Sequence, residues 1–145
     1  MKTFHISDVL SVTTGRLVSS RHMEGIYEIL NFLTGDDLLT HQLPRAIKEC
    51  EPWLRTQFPK LFPDDPLMIG LLNGLDMIVA EKTMPAGDNA TAMIARWVEA
   101  VRCAYQLPEH LPVYEMGADM HTHIDPVEEA KAMVGDQRIV TIKIP

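Results

Sequence analysis

Apolar side chains along this chain recur mostly at spacings of three and four, the pattern of helices that each bury one face. Met23, Ile26, Tyr27, Leu30 and Leu33 form one such stripe, and Gly35 stands where a left-handed residue would stop the helix. The longest stripe runs through Ala90, Met93, Ile94, Trp97, Val98, Val101, Ala104 and Tyr105, which predicts a helix over 88–105 at the centre of the core. Ahead of both, Phe4 and Ile6 alternate with polar neighbours as in a short strand. Ser7 can then cap a brief helix that holds Val9, Leu10 and Val12 and ends at Gly15.

Prolines punctuate the middle of the chain. Pro44 suits the first turn of a helix carrying Ile47, Cys50, Leu54 and Phe58, while Pro52 inside it removes a backbone donor and should kink or split it. Asp65-Pro66 reads as a cap and a first helical residue. Over 67–82 the spacing of Met68, Leu71, Leu72, Leu75 and Val79 favours a helix, against a hairpin suggested by Asn73-Gly74. Beyond Pro108 the pattern changes to a strand at Val113–Met116, a helix from Pro126 to Val134 stopped by Gly135, and a strand over 138–144. Asp125 is the helix cap there, with Glu128 as its reciprocal capping-box partner. The fold class expected is α+β, mostly α, in one domain over 1–145. Five to six helices form a body over 7–107, and a strand-helix-strand unit follows over 111–145.

Composition narrows the classes. A chain of 145 residues with 46% apolar and 23% charged side chains supports one core without staples. Cys50 and Cys103 lie within apolar helical patterns and read as reduced core thiols. No stretch approaches the roughly 18 to 20 apolar residues needed to span a bilayer, and the opening residues carry no apolar run, so the expectation is a cytoplasmic protein without membrane contact. The net charge of −7 is uneven: residues 1–60 hold seven basic and seven acidic side chains, whereas residues 61–145 hold six and thirteen. An acidic half repels phosphate backbones and attracts basic surfaces, which disfavours direct nucleic-acid binding.

Candidate chemistry is sparse. Asp119, His121, His123 and Asp125 stand at every second position, and in an extended segment period-2 geometry would send all four to one face as ligands for zinc or iron. The segment resembles the Asp-x-His-x-His motif of metal-dependent amidohydrolases. That family's barrel needs about 250 residues, whereas 22 residues follow His123. Asp125 also has a local task as helix cap, and histidines in a polar turn are commonly just solvated, so the metal site is the less favoured reading. A helix-turn-helix built from the two N-terminal helices, with Arg16, Arg21 and His22 on phosphate, has too long a loop and no basic footprint.

The run Ser7-Asp8-Val9-Leu10-Ser11-Val12-Thr13-Thr14-Gly15-Arg16-Leu17, with Asn31-Phe32-Leu33-Thr34-Gly35 and Thr40-His41-Gln42-Leu43, resembles a family of small uncharacterised proteins carried by tailed phages and plasmids. The resemblance covers roughly the first 60 residues, with a fainter echo in Ile124-Asp125-Pro126-x-x-Glu129. It implies a mobile-element context and brings no activity, cofactor or catalytic residue.

Three functional expectations follow. The leading one is a non-enzymatic module that binds a protein with a basic surface, such as a host defence complex. Its contacts would be Glu115, Asp119, Glu128 and Glu129 on the acidic tail, with Thr40, His41 and Gln42 as a second surface in a polar loop. The alternatives are a metal-dependent enzyme at Asp119, His121, His123 and Asp125, and a DNA-binding helical protein.

Overall fold

The computed structural model describes residues 1–80 and 88–134. Among the described residues the order is β1 (Lys2–His5), α1 (Ile6–Thr14), α2 (Met23–Thr34), α3 (Leu43–Gln57), α4 (Pro66–Ala80), α5 (Asp88–Ala104), β2 (His110–Val113) and α6 (Pro126–Val134). Single 3-10 turns lie at Thr40–Gln42 and Ala118–Met120. The fold is α+β and mostly α, as the periodicity predicts.

The helix buried on every side is α1. All nine of its residues are buried, and it touches α2, α3, α5 and both strands. By contrast α5, expected at the centre, buries Trp97, Val98 and Val101 and leaves much of its outer face open. A stripe records which face of a helix is apolar but not how many neighbours surround it. The short α1 has the shorter stripe and the more central place because its polar residues also have partners inside the protein.

Those partners are the linker that follows. The Ser11 hydroxyl accepts the backbone N–H groups of Val18 (3.0 Å) and Ser19 (2.8 Å) while donating to the Ser7 carbonyl (3.0 Å). The Ser7 hydroxyl accepts from the Ser20 N–H at 3.2 Å. Asp8, with its side chain only 1% exposed, accepts from the Ser19 hydroxyl and from Arg21 Nη2 at 2.7 Å. A buried hydroxyl or carboxylate without a partner would cost more than these bonds contribute. Among the described residues no buried side-chain nitrogen or oxygen lacks one. Residue 7 is not the cap of α1, however. The helix begins one residue earlier, at Ile6, and the His5 ring Nδ1 accepts the Ser7 N–H (3.1 Å) in the capping role.

Local stop signals act as expected. Gly15 (φ 72°) and Gly35 (φ 71°) end α1 and α2 in the left-handed conformation. Asn31 Oδ1 then accepts the Leu38 N–H at 2.9 Å, turning the chain toward α3. Pro52 does not split α3, which runs unbroken to Gln57. Its position is exposed while Cys50 and Leu54 anchor the opposite face, so the carbonyl it orphans lies on the side open to water. Asp65 caps α4 by accepting the Met68 N–H (3.2 Å), and the helix continues through Asn73-Gly74 without a hairpin.

Among the described residues the sheet is a single antiparallel pair with Phe4 opposite Leu111 and Lys2 opposite Val113. The strand expected at 113–116 lies at 110–113, because that register turns Leu111 and Val113 inward beside Phe4 and leaves Pro112 exposed. The expected strand over 138–144, the stop at Gly135 and the end of the helix over 67–82 fall outside the described residues. Among those that are described, no helix is long and apolar enough to cross a membrane.

Of the two thiols, Cys50 is buried and Cys103 is exposed. Cys103 follows Val101 by two residues, which places it about 200° round the helix from that buried position. Burial, reinforced by neighbouring Glu49, pushes the Cys50 thiol up to about 12. Ellman's reagent should therefore titrate one thiol per native chain and two in denaturant; two fast thiols in native protein would contradict this packing.

Candidate functional site

The loop that follows α2 and the first turns of α3 form an edge of the body, and the segment after β2 returns across it. Asp36 lies just past the Gly35 stop; His41 and Gln42 occupy the 3-10 turn; Arg45 and Glu49 sit one turn apart on α3. Against them comes an arm made of the turn at Ala118–Met120, the irregular residues 121–125 and α6.

Three groups of contacts fasten the arm. His121, its side chain 6% exposed, meets Glu49 Oε1 through Nδ1 (2.7 Å) and Asp36 Oδ2 through Nε2 (3.0 Å). His123, 73% exposed, meets the same Asp36 oxygen at 2.8 Å. Arg45 forks onto Glu129 (2.7 and 2.8 Å) and also donates to the Thr122 carbonyl at 2.7 Å. Gln42 donates to Glu129 Oε1 and to the Ile124 carbonyl, both at 3.0 Å, and the His41 ring Nε2 donates to the Pro126 carbonyl at 2.8 Å.

The electrostatics follow from this lattice. Arg45 chiefly, against the opposing effect of burial and with help from Gln42, holds the Glu129 carboxyl down to about 2. Burial works against ionisation of Asp36, yet hydrogen bonds from His121, His123 and the Asp37 N–H outweigh it and bring Asp36 to about 2 as well. Both carboxylates are thus anionic fasteners. His121 has a carboxylate at each ring nitrogen, so its ring is held between Glu49 and Asp36.

This arrangement redraws the expected ligand set. Asp119 does not share a face with His121 and His123, because the 3-10 turn over Ala118–Met120 breaks the period-2 geometry. Asp119 points to solvent, and Asp125 accepts the Glu128 N–H at 3.3 Å as the cap of α6. The two histidines converge instead on Asp36 and Glu49, residues that lie 72 to 87 positions away. Among the described residues no group of three or more His, Cys, Asp or Glu side chains is placed to hold a metal ion.

The expected partner-binding residues divide. Glu115, Asp119 and Glu128 are exposed. Glu129 and Gln42 are buried against one another, His41 is tied to α6, and Thr40 is paired with the Tyr27 hydroxyl. Asp36, Arg45 and Glu49 carry no signal of their own in the sequence beyond the i, i+4 pairing of the last two. Arg16 and Arg21, the phosphate contacts of a DNA-binding reading, are paired with Asp76 and with Asp8 and Glu28.

Residues 4–63 match a family model described as a domain of unknown function (DUF7736). The matched stretch is β1 to α3 and the turn beyond it, so it includes the whole edge on which the arm sits. It agrees with the N-terminal resemblance to an uncharacterised family. No curated protein and no solved structure matches the chain. Two separated pieces of that resemblance, Thr40-His41-Gln42 and Ile124-Asp125-Pro126-x-x-Glu129, meet in space at this edge.

Proposed function

We propose that the chain is a non-enzymatic, cytoplasmic protein-binding module of a phage or other mobile element, and that it meets a basic partner surface through its acidic arm. One observation carries this reading. The histidines and carboxylates with which a catalytic site could be built are spent on one another as fasteners, while Asp119 and Glu128 are left exposed on the arm they fasten and Glu115 just ahead of it. Charges held on a fixed scaffold steer association with an oppositely charged surface. A host defence complex with a basic nucleic-acid channel, such as a CRISPR effector, is one partner of this kind.

Reversing Glu115, Asp119 and Glu128 to Lys should leave the fold intact, slow association with a partner captured from a bacterial host, and flatten its salt dependence, because screening acts on exposed charges. Unchanged association kinetics in the folded triple variant would remove the acidic arm from the reading. Equal phage plating on defended strains with and without the protein would remove the defence complex.

A further inference from the structure

The edge beneath the arm is itself a recognition surface: Asp36 and Glu49 take the two histidines, and the part around Arg45 presents donors, the reverse of the acidic face. It offers the Arg45 fork and the Gln42 amide to a carboxylate, while His41, Gln42 and Arg45 also donate to three backbone carbonyls. These donors fit an extended segment that enters a helix and carries a glutamate in the first turn, as Asp125-Pro126-x-x-Glu129 does. We propose that this edge is an acceptor for acidic helix starts, and that the arm is its built-in, displaceable occupant: an acidic partner segment of the same kind takes Arg45, Gln42 and His41 from it.

Displaceability follows from how the arm is held. The apolar core includes none of the described side chains between 118 and 134, and Val127 and Met133 of α6 are exposed. Among the described side chains of α6, the one that is buried is an anion, Glu129. A segment fixed by apolar burial can be replaced only by another of the same shape, whereas a carboxylate on an arginine fork exchanges for any carboxylate that brings the same geometry. The arm competes as a tethered ligand, at an effective concentration of millimolar order, so an outside segment gains access once the tethered one is weakened. This goes beyond the acidic-face reading and concerns a different surface; reversing Glu115, Asp119 and Glu128 leaves it untouched.

The probe is a fluorescent synthetic peptide reproducing residues 118–134, titrated onto the full chain. It should bind the Glu129→Gln chain at least about tenfold more tightly than the unaltered chain, since losing one partner of a buried charge pair costs at least that factor. A peptide carrying the same change should lose at least about tenfold. Hydrogen exchange of amides 128–131 should be faster in the Glu129→Gln chain. Equal binding to both chains, binding to neither, or an arm as protected in the variant as in the unaltered chain would each overturn the proposal. Should the variant fold poorly, the unaltered chain decides alone. Peptide at several times the effective concentration, roughly ten millimolar, should deprotect amides 128–131, and undiminished protection there counts against a displaceable arm.

Discussion

Gly25→Ala is expected to destabilise the fold by about 2–4 kcal/mol, from overpacking together with disruption of buried polar contacts. A methyl group at this position would lie 2.3 Å from both Asp8 Oδ1 and the Ser19 hydroxyl, where α2 crosses α1 and the linker. Neither neighbour is free to give way. Asp8 and Ser19 are bonded to one another, both are buried, and Asp8 also holds Arg21. Moving them apart would strand a carboxylate away from water, and the gain of about 1 kcal/mol from replacing a helical glycine is too small to offset this. Gly70→Ala on α4 is the control, because a Cβ there meets nothing within 4 Å. It should raise stability by about 0.5–1 kcal/mol. Urea midpoints that move in the same direction for the two variants would refute the crowding at Gly25.

Arg45→Met should release the arm. The guanidinium is shared by Glu129, Glu49 and the Thr122 carbonyl, and without it Glu129 keeps only Gln42 inside a site where its side chain is 7% exposed. Stranding a buried carboxylate costs about 3–5 kcal/mol. Undocking the arm is the cheaper outcome, since none of the described side chains of α6 belongs to the core. Amides of α6 should exchange quickly while those of α1 and α2 remain protected; intact protection of α6 would show that other contacts hold the arm.

The same variant changes the acid limb of the stability curve. Glu129 lies below its ordinary carboxyl range in the folded protein, at about 2. It therefore contributes stability that is fully present above the unfolded value, about 4.3, and is lost as the pH falls toward 2. In Arg45→Met that loss between about pH 4 and 2 should shrink. Asp36, also at about 2 and bonded by His121 and His123, contributes in the same window until the arm leaves.

The amphipathic pattern of α5 suggests a core position for Cys103, although its angular offset from Val101 puts it on the outer face. Thr40, His41 and Gln42 read as an open polar loop because their partners lie more than eighty residues further on for His41 and Gln42, and thirteen back for Thr40. The four alternating ligand candidates require one extended conformation over 119–125, and a single 3-10 turn at their start is enough to separate Asp119 from the two histidines.

What the sequence by itself determined was whatever depends on a few consecutive residues. The left-handed stops at Gly15 and Gly35, the caps at Asp65 and Asp125 and the helical spacing of α2, α4 and α5 all follow from local sterics and short hydrogen bonds. Only the tertiary structure decided which surfaces those elements spend on each other. The burial of α1 on every side, the β1–β2 register and the meeting of His121 with Asp36 and Glu49 depend on how loops bring distant residues together. A side chain's type fixes what bonds it can make, but its partner is chosen by the path of the backbone, and that is why Glu129 reads as a free surface charge in sequence and is a buried fastener in the fold.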